Sequence, residues 1–158
     1  MDVIIIYDSK TGNTKKMADE VAKGARGIDG INVLIKKANE TTNEDLLKAD
    51  GIIVGSPTYY GTMSAQIKAI FDKSVSIHGK LSGKVGAAFT NSGGVASGAE
   101  TTIISILEAM LVHGMIIQGR AHAEHYGAAA VGEPDEKARM RSQELGKTTA
   151  LLVMKLGT

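Results

Sequence analysis

Cysteine and tryptophan are absent from this chain of 158 residues, which has only two prolines, four tyrosines and two phenylalanines. Without cysteine there can be no disulfide, thiolate-bound zinc, cysteine nucleophile or cysteine-ligated iron-sulfur cluster. An excess of one charge is also lacking, since 18 Lys and Arg residues stand against 17 Asp and Glu residues. This balance excludes bulk electrostatic attraction to nucleic acid or to an anionic membrane.

Long hydrophobic runs are missing as well. No apolar stretch approaches the roughly 20 residues of a membrane span, and the sequence that starts at Met1 shows neither the basic region nor the cleavage site of a secretory signal. We therefore expect a cytoplasmic protein with no membrane insertion. A hydrophobic content of 43% at this length suits one core, so we expect residues 1–158 to form a single domain.

What the chain does contain is an apolar strand that runs into a hydroxyl-rich turn. The strand, residues 3–6, is continuously apolar, as is typical of a strand covered on both faces. Apolar residues at helical spacing follow in residues 14–25, so the N–H groups and positive dipole end of a helix face the turn. The pattern predicts a phosphate pocket, with an ordinary capped helix as the alternative. The turn comprises Ser9, Lys10, Thr11, Gly12, Asn13 and Thr14.

The sequence of this turn does not match two other phosphate-binding motifs. The turn has neither the Gly-x-x-x-x-Gly-Lys-Ser/Thr pattern nor the Gly-x-Gly-x-x-Gly fingerprint. The expected ligand is therefore a mononucleotide.

Strand and helix patterns alternate along the whole chain. Strands are expected at residues 3–6, 31–36, 51–55, 84–90 and 114–118, and helices at residues 14–25, 43–48, 63–75, 100–113 and from 134 onward. Five strands that alternate with helices predict a doubly wound α/β sandwich. In such a sheet, ligands bind beyond the carboxyl ends of the strands.

Two further polar loops follow predicted strands. Each loop alone is more typical of a simple turn, but three polar loops at corresponding strand ends indicate a binding site. The first contains Pro57, Thr58, Tyr59, Tyr60 and Gly61, and the second contains Thr90, Asn91, Ser92, Gly93 and Gly94.

These loops, with residues 98–102 and 125–127, resemble the flavodoxin-like FMN proteins and, within them, the WrbA-type NAD(P)H:quinone oxidoreductases. The resemblance covers nearly the whole chain and implies a three-layer sandwich whose five-stranded parallel sheet has the order 2-1-3-4-5. It also implies that FMN is the cofactor, with its phosphate on residues 9–14, its ring against residues 58–61 and its pyrimidine edge on residues 91–94. One departure is that this chain is shorter between Phe71 and Lys84, where family members supply an aromatic pocket wall.

The implied activity is electron transfer from NAD(P)H to a quinone or a similar small molecule. Nicotinamide and quinone would stack in turn on the flavin, with Tyr59 or Tyr60 as part of its wall and backbone donors of residues 92–94 near the reduced ring. His125 and Tyr126, on the loop after the fifth strand, are expected at the flavin mouth. His125 and Tyr59 are our catalytic candidates, although a solvated loop histidine is an equal alternative for His125.

The other histidines carry less information. His122 and His125 flank Glu124, but two histidines on one short loop lack the further ligands of a metal site, so no metal is expected. His78 and His113 are interpreted as structural.

The main functional alternative is a flavodoxin-type electron shuttle that docks on other redox proteins. Such shuttles use an acidic rim, whereas residues 56–64 and 90–99 contain no Asp or Glu, which favours a small-molecule acceptor. A phosphorelay receiver is excluded because the third strand ends without a phosphoacceptor Asp. We also expect a homodimer or homotetramer in which a neighbour walls the pocket near His125 and Tyr126. Residues 100–113 either form a second contact surface or are buried entirely.

Overall fold

The computed structural model describes residues 1–122 and 124–157 as six strands, five α-helices and two short 3-10 turns. Within these ranges, no helix has the length and apolar character needed to cross a membrane. In chain order the elements are β1 (Asp2–Tyr7), α1 (Asn13–Arg26), β2 (Asn32–Lys37), a 3-10 turn (Ala38–Glu40), α2 (Asn43–Lys48), β3 (Gly51–Pro57), α3 (Ala65–Lys73), a second 3-10 turn (Ser74–Ile77), β4 (Val85–Ser92), α4 (Ala99–Val112), β5 (Ile116–Ile117), β6 (Ala128–Val131) and α5 (Glu136–Leu156).

All strand pairs are parallel, and the order β2-β1-β3-β4-β5 confirms the predicted flavodoxin-like topology. Side chains alternate between the two faces of the sheet. On β1, Ile4 and Ile6 pack with α2, α3 and α4, while Val3 and Ile5 pack with α1 and α5. The result is a sheet between two helical layers, with a separate hydrophobic core on each face.

The fifth strand is where the structure departs from the sequence prediction. Residues 114–118 were expected to form one strand, but β5 is only two residues long and pairs with Val85 and Gly86. A second short strand, β6, continues the same edge of the sheet and pairs with residues 89–92 of β4. The fifth position is therefore split, and residues 118–122 and 124–127 lie between its two parts in the sequence.

Helix α4 is neither wholly buried nor wholly a contact surface. Ile103, Ile106 and Met110 are buried in the core, whereas Leu111 and Val112 near its end are 57% and 71% exposed. Buried His113 follows the helix, and its Nε2 lies 2.7 Å from the hydroxyl oxygen of Ser74. This placement agrees with the structural role predicted for His113.

Candidate functional site

The loops after β1, β3 and β4 lie together at the carboxyl edge of the sheet. The ladder aligns Tyr7 with Gly55, and Pro57 with Asn91, so these three strands end close to one another. Hydrogen bonds join the loops directly, because the Thr58 N–H donates to the carbonyl of Asn91 at 2.8 Å. The structure thus brings together the three polar segments that the sequence singled out.

The loop before α1 is built to receive an anion. Gly12 occupies the N-cap position with φ +93°, and the Ser9 hydroxyl oxygen accepts hydrogen bonds from the N–H groups of Gly12 at 3.1 Å and Lys15 at 3.4 Å. Both N–H groups thus point toward the loop, where the Ser9 hydroxyl oxygen is their acceptor in this structure. The first turn of α1 has no acidic residue, so nothing there opposes the positive end of the helix dipole.

The loop is open to solvent at Gly12. A Cβ built on Gly12 meets no atom within 4 Å, so the backbone is open on that side. Ser9, Gly12 and Asn13 are partly exposed and Thr11 is exposed, whereas Thr14 is buried in the first turn of α1. Thr14 therefore shapes the loop as part of the helix.

Lys10 connects this loop to the next one. Its Nζ lies 5.3 Å from the centroid of the Tyr59 ring, within the range of a cation–π contact. No sequence pattern predicts this contact, because the two residues lie on different loops. It places a positive charge beside the aromatic turn.

The aromatic turn is a tight hairpin with an unusual backbone. Tyr59 and Thr62 exchange two N–H to carbonyl hydrogen bonds of 3.1 Å each, and Tyr60 and Gly61 between them have φ +51° and +77°. Two central residues with positive φ define a type I′ turn, which normally uses Asn and Gly. A tyrosine in this conformation is an outlier.

That conformation leaves Tyr60 with its whole side chain in solvent, at 108% relative exposure. The turn is held in place by α4, since the Thr101 hydroxyl donates to the carbonyl of Gly61 at 2.6 Å. The turn therefore holds a strained backbone conformation that exposes an aromatic ring to solvent. We expect such an arrangement where a planar ligand stacks.

Two of the predicted cofactor-binding residues lie within strands. Thr90 in β4 and Pro57 in β3 are buried, so their side chains are not exposed at the surface of the loops. The Thr90 hydroxyl donates to the carbonyl of Ser56 at 2.7 Å. Because that uses its single proton, the Thr58 hydroxyl must be the donor in the 3.0 Å contact between the two threonines.

Asn91 and Ser92 are likewise occupied within the protein. The Asn91 side-chain amide donates to the carbonyl of Gly132 at 2.6 Å, and the Ser92 hydroxyl donates to the carbonyl of Gly94 at 3.0 Å. These side chains hold the loop in shape. Added Cβ atoms on Gly93 and Gly94 meet nothing within 4 Å, so the backbone of this pair is the open part of the loop.

His125 and Tyr126 follow β5, as predicted, and lie shortly before β6, whose first residue pairs with Phe89 of β4. Their place at the flavin mouth stays a prediction. The Nδ1 atom of His125 lies 2.8 Å from the carbonyl oxygen of Arg120, so this segment folds on itself. Both side chains are exposed at the lateral edge of the sheet.

Gly132, which the sequence analysis did not select, lies at the carboxyl edge of the sheet. It follows β6, and its N–H donates to the carbonyl of Ser92 at 2.8 Å while its own carbonyl accepts from Asn91. The short segment Ala-Ala-Ala-Val between Gly127 and Gly132 was the available signal. No cluster of three or more residues suited to bind a metal occurs within residues 1–122 and 124–157.

A comparison with protein families matches residues 1–128 to the NADPH-dependent FMN reductases. The chain belongs to this family. A curated relative from Aquifex aeolicus named flavodoxin is 41% identical over 94% of this chain and 84% of its own length. An Archaeoglobus fulgidus relative named NAD(P)H dehydrogenase (quinone) is 35% identical over 98% of both chains.

Solved structures give the same fold. A flavodoxin from the domain Archaea has a TM-score of 0.79 and 26% identity, and it covers 98% of this chain and 99% of its own. The flavodoxin, WrbA-like protein from Agrobacterium tumefaciens has a TM-score of 0.83 over 98% of both chains, at 24% identity. The likeness to WrbA-type flavodoxin-like proteins and the FMN cofactor are both confirmed, and the chain is a flavodoxin-like FMN oxidoreductase.

Proposed function

We propose that this protein transfers electrons from NAD(P)H to a quinone or a similar small acceptor through bound FMN. The observation that carries the proposal is the exposed Tyr60 ring on a rim without carboxylates, since residues 56–64 and 90–99 contain no Asp or Glu. A rim without carboxylates suits an aromatic or quinonoid molecule better than a basic protein partner. The relatives named NAD(P)H dehydrogenase (quinone) support this activity.

Each loop has a separate task in the proposal. The N–H groups of residues 9–14 hold the phosphate, Tyr59 and Tyr60 form the wall against the ring, and the open backbone of Gly93 and Gly94 supplies donors to the polar ring edge. When bound, FMN supplies hydride acceptance and the later release of electrons, so the protein needs no acid-base pair of its own. The residues bind, orient and leave one face accessible.

An electron shuttle is the competing function, and the relative named flavodoxin at 41% identity favours it. The alignment with the Archaeoglobus fulgidus relative spans 188 positions, more than the 158 residues of this chain, so that relative has segments that this chain lacks. The shorter chain has less material to wall a substrate pocket. The absence of carboxylates from residues 56–64 and 90–99 is the feature that still favours a small-molecule acceptor.

Steady-state kinetics separates the two functions. With FMN-loaded protein, NAD(P)H and a benzoquinone should give parallel double-reciprocal plots, because donor and acceptor occupy one pocket in turn. Intersecting lines would require both substrates to be bound together and would contradict the shared pocket. Failure with every quinone and with either nicotinamide would favour the shuttle.

The proposal includes a closed homo-oligomer in which a neighbouring subunit covers the open side of the pocket. It is supported by the exposed side chain of Tyr126, which precedes the edge strand β6. An edge strand has backbone groups that are free to pair with a neighbour. Sedimentation and quinone reductase assays across protein concentration test it. Activity should fall in step with dissociation while FMN stays bound, and a fully active monomer would contradict the shared pocket.

A further inference from the structure

A cavity of about 390 Å³ lies between β4, the segment 118–122 that follows β5, and residues 144–152 of α5. Its described lining includes no residue of the three polar loops that form the candidate cofactor site. Val85, Ala87 and Leu145 give it apolar walls. The volume falls in the range of small-molecule sites.

Arg120 brings a buried cation to this cavity. It is one of the lining residues, and its side chain is only 10% exposed. Its Nη2 atom donates a hydrogen bond of 2.8 Å to Oε2 of Glu144. Its Nη1 atom is buried and has no hydrogen-bond partner in the described parts of the chain. A buried charged donor without an acceptor is costly, so this atom indicates an acceptor that comes from outside the chain.

Glu144 holds the guanidinium through one nitrogen only. Its side chain is 60% exposed, and ion pairs that are exposed to this degree stabilise a protein little. The Glu144 carboxylate can therefore move into solvent at small cost. Another carboxylate that contacts Nη1 and Nη2 of Arg120 together would form the paired geometry that a guanidinium favours.

The backbone around Arg120 is held in place by His125. The Arg120 N–H donates to the carbonyl of His125 at 3.1 Å, and Nδ1 of His125 donates to the carbonyl of Arg120 at 2.8 Å. This double contact fixes the start of the Arg120 side chain. A site that is fixed before binding loses less entropy when its ligand arrives.

The helical wall adds no buried donor. The hydroxyl protons of Thr148 and Thr149 are used within α5, in hydrogen bonds of 2.9 Å to the carbonyl of Glu144 and 2.8 Å to that of Leu145. Their oxygens can only accept. Beyond the guanidinium, the buried part of the cavity therefore suits an apolar group.

We propose that this cavity binds a small organic carboxylate with an apolar body. The ligand carboxylate replaces Glu144 on the guanidinium of Arg120, and the apolar body contacts Val85, Ala87 and Leu145. Because the ligand exchanges one carboxylate for another, the charge balance at Arg120 is kept. The site is separate from the cofactor loops and does not depend on the proposed function.

An NMR titration of FMN-loaded, ¹⁵N-labelled protein with benzoate tests the site directly. Benzoate should give saturable shift changes in the amides of residues 118–122 and 144–149, with a Kd of about 10 mM or lower, as the binding efficiency of small ligands allows. Benzyl alcohol, which keeps the ring but has no charge, should bind at least about tenfold more weakly. Equal binding of the two molecules, no saturable change with benzoate, or changes confined to the three polar loops would overturn the proposal.

Two variants test the exchange at Arg120. Arg120→Met should abolish the saturable changes. Glu144→Gln should lower the benzoate Kd about 2- to 5-fold, because it removes the competing carboxylate of a weak pair. A Kd that is unchanged or higher in Glu144→Gln would overturn the proposal, even if Arg120→Met fails to fold.

Glu133→Gln is the matched control. It removes a carboxylate of similar exposure, 66%, from an ion pair with Lys16, and Glu133 does not line the cavity. The benzoate Kd of this variant should equal that of the wild type. The same decrease in Glu133→Gln and Glu144→Gln would show a general effect of charge and would contradict a site at Arg120.

Discussion

Replacing Gly12 by alanine tests the phosphate loop at a residue whose backbone conformation favours glycine. Gly12 has φ +93° and ψ −12°, a left-handed conformation that costs an L residue about 1–2 kcal/mol. A Cβ at this position meets no atom within 4 Å. The penalty of Gly12→Ala is therefore backbone strain and not a steric clash.

The exposed loop can relieve this strain by moving residue 12 to negative φ, which would turn its N–H away from the Ser9 hydroxyl oxygen, now 3.1 Å away. FMN binding must then restore the left-handed conformation, so the apparent Kd rises by the strain energy. A strain of about 1–2 kcal/mol corresponds to about 5- to 30-fold weaker FMN binding. Gly12→Val should lose more, because its β-branched side chain is more restricted.

Quenching of flavin fluorescence on titration of the apoprotein with FMN measures this loss. Gly79→Ala is the matched control, because Gly79 also has positive φ, +81°, and open space around an added Cβ, but lies outside the three loops. It should lower the free energy of unfolding and leave the FMN Kd at the wild-type value. A wild-type FMN Kd in Gly12→Ala would refute the phosphate assignment.

Three further predictions concern the aromatic turn, the helix packing and a buried histidine. Tyr60→Ala should weaken FMN binding about 2- to 10-fold through lost stacking yet change the free energy of unfolding by less than about 0.5 kcal/mol, since the side chain is fully exposed. Gly146→Ala should destabilise the protein by about 1–3 kcal/mol, because the new Cβ would lie 1.9 Å from the Val21 carbonyl oxygen. Burial lowers the pKa of His113, so the unfolded state binds more protons below pH 6.5 and stability should fall with acidification, by at most about 1.4 kcal/mol per pH unit.

Urea unfolding and FMN titration check these three predictions. Equal FMN affinity in Tyr60→Ala would remove this ring from the site. Gly119→Ala, where an added Cβ meets nothing within 4 Å, is the control for Gly146→Ala, and equal stabilities of the two variants would contradict the packing argument. His113→Gln should flatten the stability profile between pH 7 and 5, and an unchanged slope would show that another group titrates.

The sheet and the phosphate loop were predictable because their signals are local. The apolar run of β1, the glycine and hydroxyls of residues 9–14 and the apolar face of α1 lie within one short segment, so period and turn chemistry suffice. The split of the fifth strand was not predictable in this way. Residues 128–131, mostly alanine, have weak strand propensity, and only pairing with β4 makes them a strand.

The prediction of the site was limited because its contacts join residues that are far apart in the sequence. Whether Thr90 faces a ligand depends on a hydrogen bond to Ser56, which is 34 residues away in the sequence, and no local pattern reveals that its hydroxyl is already used. The position of His125 depends on the pairing of β6 with β4, which no local pattern reveals. The contact of Lys10 with the Tyr59 ring is likewise a product of the fold.

Anaerobic mixing of the FMN-loaded protein with NADH or NADPH tests the central claim most directly. We predict that at least one donor rapidly bleaches the visible absorbance of the flavin, and that a benzoquinone then restores it without any protein partner. An absorbance that neither donor changes, in protein shown to contain FMN, would contradict the proposed reductase.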